Sequence, residues 1–247
     1  MKLKWQIALV ILLALILGGS FYWLRFRPSS SSLIAPVVAQ EIYPLFDCPC
    51  CDQTIDQCTC SMAAERRAFL DGLANAGASE KKALLAYVKR YGLDSLVDEQ
   101  RRKELRQQLV AQAPADRPII AIKPEQRDLG QVSQQKGVVT TEFELENRGQ
   151  SDLVIEKLET SCGCTSAAIV YQGQEGPKFN MPGHGINEKI KDWRLVLPPG
   201  AQAKLKVYYD PNTHQNFRGA AVRAIYIFSN DPIDSKKKVE IELTQVD

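Results

Sequence analysis

The chain has 247 residues, of which 45% are hydrophobic and 24% are charged, proportions that exclude a disordered or fibrous protein. The formal net charge of +2 is too small to suggest a nucleic-acid partner, and we expect none. The length leaves room for two modest domains in addition to a targeting segment.

An almost wholly apolar run covers residues 7–24 and has basic residues on both sides. Its length matches the hydrocarbon core of a bilayer if the run is helical. We predict a single-pass transmembrane anchor over residues 1–27 and a linker over residues 28–45. The alternative is a cleaved signal peptide, although its best cleavage point, Val37-Val38-Ala39, lies well past the apolar run. The cysteines that follow favour the extracytoplasmic (periplasmic) side of a bacterial inner membrane, where thiol chemistry escapes cytosolic reductants.

Residues that typically begin and end helices follow the linker. Two residues that can cap a helix and two glycines that can end one alternate here: Ser61, Gly77, Ser79 and Gly92. We predict a small cysteine-rich helical domain over residues 46–96. A charged stretch with only a thin apolar stripe follows, and it predicts a connecting helix over residues 97–117, closed off by prolines.

From residue 118 onward the hydrophobic pattern alternates with period two, which indicates strands. Seven short stretches have this pattern: residues 119–122, 140–146, 153–158, 195–197, 203–209, 222–228 and 239–243. Turn-forming residues separate them, so we predict an immunoglobulin-like β-sandwich over residues 118–247. One long insert, residues 172–192, lacks the strand pattern, and inserts of that length are usually functional or disordered. The fold class is therefore α+β multidomain, with a transmembrane helix, a helical bundle and a sandwich.

Seven cysteines form two groups, and their odd number excludes complete internal pairing. The first group is Cys48, Cys50, Cys51, Cys58 and Cys60. Cys48 and Cys51 have the spacing of a catalytic redox dithiol, with one thiolate stabilised at the start of a helix. Two alternatives remain open.

In one alternative, four thiolates bind zinc: Cys48, Cys51, Cys58 and Cys60. In the other, the cysteines form ordinary structural disulfides with one spare thiol. Asp52 follows Cys51, so no Cys-x-x-Cys-His motif for haem attachment is present.

The second group is Ser161-Cys162-Gly163-Cys164-Thr165, directly after a predicted strand. Thiols at this spacing can close only a strained disulfide or bind a soft metal. Imidazole and thioether groups occur in turn-rich stretches of the same domain, so the sequence predicts a copper site from Cys162, Cys164, Met181, His184 and His214. The alternative is that the cysteines pack or oxidise locally and that the histidines are surface turn residues.

Three features of residues 46–96 resemble the soluble domain of the cytochrome c maturation H family. They are the Cys48–Cys51 pair, the break Ala76-Gly77-Ala78-Ser79 and the ending Tyr87-Val88-Lys89-Arg90-Tyr91-Gly92. The resemblance implies a three-helix bundle whose dithiol reduces apocytochrome cysteines before haem attachment. Cys50, Cys58 and Cys60 are additional to the family pattern and could convert a redox pair into a metal site.

The second half of the chain carries four short motifs: Glu146-Asn147-Arg148-Gly149, Ser161 to Thr165, Pro199-Gly200 and Ser229-Asn230-Asp231-Pro232. In these motifs residues 119–246 are similar to a widespread bacterial domain family of unknown function. The resemblance implies an immunoglobulin-like sandwich and no particular chemistry, because such sandwiches have many functions.

From these patterns we expect a membrane-anchored, extracytoplasmic thiol- or metal-handling accessory protein in cytochrome or metalloprotein maturation. Zinc or copper is the expected metal, and the expected partner is a protein of unknown identity. The alternative is a non-catalytic interaction module that zinc or disulfides merely stabilise. No Ser/His/Asp set, phosphate-binding glycine loop or His-Glu-x-x-His motif accompanies the cysteines.

Overall fold

The structure, a computed structural model, describes residues 37–49, 51, 53–183, 187 and 190–247. The predicted anchor over residues 1–27 lies outside this range, and so do Cys50 and His184. Within the range, no helix is long and apolar enough to cross a membrane.

The α-helices of the described chain come before its strands. They are α1 (Ala39–Ile42), α2 (Ser61–Asn75), α3 (Glu80–Tyr91) and α4 (Glu99–Gln112). Ser79 caps α3 as predicted, because its hydroxyl accepts a hydrogen bond from the Lys82 amide at 3.4 Å. The cap predicted at Ser61 is wrong: Cys60 is the N-cap of α2, and its Sγ accepts a hydrogen bond from the Ala63 amide at 3.3 Å.

Ten strands form two five-stranded sheets in the described chain. Their bounds are β1 (Ile120–Lys123), β2 (Gln126–Ser133), β3 (Val139–Asn147), β4 (Leu153–Thr160), β5 (Thr165–Tyr171), β6 (Gln174–Glu175), β7 (Leu195–Leu197), β8 (Gln202–Tyr209), β9 (Gly219–Ser229) and β10 (Lys236–Val246). One sheet has the order β1-β3-β8-β5-β6 and the other β2-β10-β9-β4-β7, and β2 runs parallel to β10. The predicted sandwich and all seven predicted strands are confirmed.

The insert predicted over residues 172–192 is more regular at its start than its sequence indicates. β6 pairs with β5, and Phe179 is buried and bridges Ala167. Its ring also meets Trp193 edge-on, with centroids 5.2 Å apart. The first part of the insert therefore extends the sheet.

The hydrophobic core of the sandwich is formed by the alternate residues of each strand that face inward. Phe143 faces Leu205 across β3 and β8, and both are fully buried. The opposite sheet supplies the other side of the core through Leu158, Ile225, Ile227 and Ile241. Each such side chain contributes about 1.5–3 kcal/mol when fully buried, so burial of this set accounts for the register of the strands.

A buried asparagine explains the Glu-Asn-x-Gly motif. The Asn147 amide nitrogen donates to the carbonyl oxygens of Ser151, at 2.9 Å, and Leu197, at 2.8 Å. Its oxygen accepts from the Gly149 amide at 2.9 Å. A Cβ on Gly149 would lie 2.3 Å from the Arg117 carbonyl oxygen, so the close passage of the chain there requires glycine.

The helices have their own hydrophobic core, in which the Phe46 and Tyr87 rings stack with centroids 3.6 Å apart. Ile233, from the loop between β9 and β10, packs into this core. On the same side, Arg106 donates two hydrogen bonds to the Asp234 carboxylate, at 2.6 and 2.8 Å. These contacts join the helices to the sandwich, and residues 37–247 form one compact unit.

Candidate functional site

Four sulfur atoms from one short segment lie together at the start of α2. Cys48 Sγ lies 3.4 Å from Cys60 Sγ. Cys51 Sγ lies 3.2 Å from Cys58 Sγ, and the sulfur atoms of Cys48, Cys51 and Cys58 are all within 4.8 Å of one another. In a tetrahedral zinc site with Zn–S bonds of about 2.3 Å, neighbouring sulfurs are about 3.8 Å apart. We call these four residues the four-cysteine cluster. Its two shortest separations lie slightly below that spacing, and Cys60 lies outside the three-sulfur group and approaches it through Cys48.

Backbone hydrogen bonds fold the segment so that its two halves meet. The Cys48 amide donates to the Gln53 carbonyl at 2.8 Å, and the Ile55 amide donates to the Phe46 carbonyl at 2.9 Å. These bonds close a small loop that carries Cys48 and Cys51, and the chain then returns through Cys58. The short spacing of the cysteines therefore becomes a spatial cluster.

Two arginines of α2 hold the loop from the helix side. The buried Arg66 donates to the Asp47 carbonyl at 3.0 Å, and Arg67 donates to the Cys58 carbonyl at 2.8 Å and also to that of Ile55. Both arginines therefore fix main-chain groups of the segment that carries the cysteines.

The four-cysteine cluster is not uniformly accessible. Cys48 and Cys58 are buried, Cys60 is half-buried and Cys51 is exposed. Cys60 also occupies the N-cap of α2, where its Sγ accepts from the Ala63 amide. The sequence assigned that helix-start position to the Cys48–Cys51 motif, and in this respect it was wrong. The redox role predicted for Cys48 and Cys51 stays a prediction.

A cleft of about 430 Å³ opens beside the cluster, between the helices and the sandwich. Six residues give its chemical character: Cys48, Cys51 and Arg66 on the helical side, and Ser161, Arg223 and Lys236 on the sandwich side. Burial, and secondarily the charge of Arg66, lowers the pKa of Lys236 from 10.5 to about 8. Burial raises the pKa of the neighbouring Tyr226 to about 12. The cleft therefore combines sulfur atoms with several cationic side chains.

The second cysteine group forms a separate centre on the sandwich. Cys162 and Cys164 are joined by a disulfide, with Cα atoms 5.3 Å apart. His214 Nε2 lies 3.2 Å from Cys162 Sγ, and Arg223 Nε donates to Cys164 Sγ at 3.2 Å. Cys164 is buried, Cys162 is half-buried and His214 is exposed.

The structure brings together three of the five residues predicted as copper ligands: Cys162, Cys164 and His214. Met181 lines a neighbouring cavity that also contains Ser161, and His184 lies outside the described residues. A copper ion would need the thiolates of the reduced pair, so the copper site stays a prediction for that form.

Sequence reasoning missed the cationic partners of both centres. Arg66 lies in an ordinary charged helix, whereas Arg223 and Lys236 lie in β9 and β10. No local motif marks them, because each reaches its site only through long-range packing.

The family model described as a protein of unknown function (DUF1573) matches residues 120–176, a span that includes Ser161 to Thr165. This match confirms the resemblance of the second half of the chain to a domain family of unknown function. No curated protein matches the chain. The comparisons do not bear on the resemblance of residues 46–96 to the cytochrome c maturation H family, which stays a prediction.

Solved structures similar to this chain include a protein of unknown function from Porphyromonas gingivalis W83, with 15% identity and a TM-score of 0.39 over 54% of this chain and 50% of that one. The secreted serine protease VesC from Vibrio cholerae has 17% identity and a TM-score of 0.33, over 53% of this chain and 24% of its own. The human CEP192 ASH/PapD-like domain has 14% identity and a TM-score of 0.29, over 54% and 87%. The chain thus spans half or less of the first two proteins, and at these scores the likenesses give no information on chemistry.

Proposed function

We propose that this protein is a thiol- or metal-handling accessory protein and that the four-cysteine cluster is its working centre. The observation that carries this proposal is the convergence of the Cys48, Cys51 and Cys58 Sγ atoms, with Cys60 Sγ as a fourth sulfur 3.4 Å from that of Cys48. Thiolates in this number suit a soft, tetrahedral ion such as Zn²⁺.

The surroundings support a metal that can be exchanged. A zinc ion with four thiolates carries two negative charges in excess, and Arg66, Arg67 and Lys236 lie where they offset them. The exposed Cys51 opens one side of the site to solvent and to the cleft. A donor or acceptor can therefore reach a metal ligand without unfolding the loop.

We also propose that residues 7–24 anchor the protein in a bacterial inner membrane with the cysteines outside the cytoplasm. The support is the apolar run and the number of cysteines in the chain. In its most specific form the proposal gives the four-cysteine cluster a role in cytochrome or metalloprotein maturation. The support is the resemblance of residues 46–96 to the cytochrome c maturation H family. A Cys48→Ser/Cys51→Ser strain should then show weaker haem staining of c-type cytochromes, and normal staining would refute that assignment.

Metal content tests the central proposal. The full-length chain, purified anaerobically and measured by elemental mass spectrometry, should contain about one zinc per chain, as one tetrahedral four-thiolate site requires. Cys48→Ser/Cys58→Ser should abolish binding, whereas the matched control Cys162→Ser/Cys164→Ser should retain it. A metal-free wild type, or equal loss in both variants, would contradict the metal proposal.

Chelator challenge separates metal handling from structural support. With an exposed ligand, we expect zinc to leave within minutes while the helical circular dichroism signal persists. If zinc is released only when the helical signal is lost, the result would instead favour a non-catalytic interaction module that zinc merely stabilises.

A further inference from the structure

The disulfide between Cys162 and Cys164 is chemically asymmetric. Arg223 Nε donates to the sulfur of the buried Cys164 at 3.2 Å, and His214 Nε2 lies 3.2 Å from the sulfur of the half-buried Cys162. A disulfide that only stabilises a fold does not require a cationic hydrogen-bond donor at one of its sulfur atoms. The same donor stabilises a thiolate once the bond breaks.

The loop that carries the disulfide is held in place independently of it. Ser161 Oγ accepts from the Ala224 amide at 2.9 Å, and Thr160 Oγ1 donates to the Cys162 and Thr165 carbonyls, at 3.0 and 2.9 Å. Asn180 donates to the Gly163 carbonyl at 3.1 Å. Opening the disulfide therefore leaves both sulfurs near their polar partners, as reversible chemistry requires.

We propose that Cys162 and Cys164 are a redox-active pair that exchanges electrons with a protein or peptide dithiol. A thiolate of the partner attacks Cys162 Sγ, the more accessible sulfur. A partner–Cys162 bond forms as the Cys162–Cys164 bond breaks, and Cys164 departs with the electron pair as a thiolate facing Arg223.

The partner's second thiol then loses its proton to His214 or to water and attacks the partner's own first sulfur. Cys162 leaves as a thiolate beside His214, and both cysteines take up protons from solvent as needed. The partner dithiol is thereby oxidised to a disulfide, losing two electrons and two protons, and the pair is reduced to a dithiol. A partner disulfide reverses every step. This site is separate from the four-cysteine cluster and does not depend on the function proposed for it.

The residues around the pair make Cys164 the better leaving group. Exchange is faster when the departing thiolate is stabilised, and a cation within hydrogen-bond distance provides that stabilisation. Burial of Cys164 excludes external thiolates from it, so the two cysteines have distinct roles. Arg223 is therefore a positioning residue for exchange.

The test uses the full-length chain and defined probes, dithiothreitol for rates and glutathione redox buffers for equilibrium. Differential alkylation and mass spectrometry of the tryptic peptide over residues 158–178 report on this pair alone, because that peptide contains no other cysteine. The variants are Arg223→Gln, Arg223→Lys and His214→Asn. Arg218→Gln is the matched control, since Arg218 contacts Gln134 and loop carbonyls rather than a sulfur atom.

We expect reversible oxidation and reduction of the folded wild type. Arg223→Gln should slow the reaction with dithiothreitol. Above about pH 9, where an ordinary thiol is ionised, it should also lower the equilibrium constant for reduction up to about tenfold, because a nearby cation is worth about one pKa unit or more to a thiolate. Arg223→Lys should restore most of the loss, His214→Asn should slow reduction without unfolding the sandwich, and Arg218→Gln should match wild type.

Three results would overturn the proposal. The first is a disulfide that dithiothreitol reduces only when the protein unfolds, as expected of a structural bond. The second is an Arg223→Gln protein indistinguishable from Arg218→Gln in both rate and equilibrium. The third is a reduced pair that binds one Cu(I) in the presence of glutathione and no longer reoxidises, which would make this a copper site.

Discussion

Lys236 is a half-buried cation in the wall of the cleft, and its replacement by methionine should stabilise the protein. Its ammonium lies 4.2 Å from the centroid of the Tyr226 ring and 5.1 Å from that of Phe228. The charged groups that act on it are Arg66 and Lys157, which lower its pKa, and Glu65 and Glu159, which raise it. Burial outweighs them all and leaves the pKa at about 8, against 10.5 for the unperturbed side chain.

The sign and size of the effect follow from this difference. Between pH 8 and 10.5 the unfolded chain holds more protons at Lys236 than the folded chain, so the stability of the fold rises with pH across that window. Below pH 8 the cost is nearly complete and reaches at most about 3.5 kcal/mol, because each pKa unit is worth about 1.4 kcal/mol. The variant also loses the favourable contacts between the ammonium and the two rings, which offsets part of this gain. We therefore expect Lys236→Met to stabilise the fold by about 1–2 kcal/mol near pH 7.

Urea unfolding of wild type and Lys236→Met between about pH 7 and pH 9.5 tests this reasoning. The stabilisation by methionine should fall by about 2 kcal/mol over that range and so disappear or change sign near pH 9.5, since the wild type alone is relieved of the buried charge. Taking the difference cancels groups that both proteins share, including the cysteines. Lys238→Met is the control, because Lys238 instead pairs with Glu240 at 3.0 Å. A pH-independent difference for Lys236→Met would refute the account of a buried cation.

Two further predictions concern the framework around the sites. Asn147→Ala should destabilise the fold by about 2–4 kcal/mol in urea unfolding, because it leaves the buried Leu197 carbonyl and neighbouring groups without partners. The control Asn230→Ala, at an exposed turn, should cost under about 1 kcal/mol. Similar losses of stability for both variants would contradict this prediction. A double-mutant cycle on Arg106 and Asp234 should give a coupling of about 0.5–1 kcal/mol, since the pairing is bidentate but the arginine is partly exposed. A coupling near zero would mean that packing of Ile233, rather than this pair, holds the helices to the sandwich.

Strands in which hydrophobic and polar residues alternate regularly could be predicted from the sequence. Strands whose position in the sheet removes that alternation could not. β5 is missed because its residues Ala167 to Ile169 are buried in succession, so its pattern loses the period of two. β2 is missed for the opposite reason: it is an edge strand with mostly exposed polar residues. In both cases tertiary position, rather than local propensity, decides the conformation.

The same distinction applies to the candidate sites. The cysteine spacing within residues 48–60 left a redox pair, a zinc site and plain disulfides open. The backbone hydrogen bonds of the loop, which spacing does not encode, bring the sulfurs together. Arg223 is 59 positions from Cys164 and reaches it only because β9 is placed beside the loop after β4. The charge environment that separates a reactive cysteine from an inert one therefore depends on sheet pairing, which composition and spacing do not encode.

The cleft gives a physical reason for joining helices and sandwich in one unit. The helical side contributes Cys48, Cys51 and Arg66, whereas Lys236 and Arg223 come from β10 and β9. In the metal site that we propose, offsetting the excess charge of the thiolates near Cys51 would depend partly on cations from the sandwich. Arg223 lines the same cleft and also touches Cys164, so a substance bound there would alter the electrostatics of the second cysteine centre as well. Contacts such as Ile233 in the helical core fix these charges relative to the sulfurs, which a flexible linker between independent domains would not do.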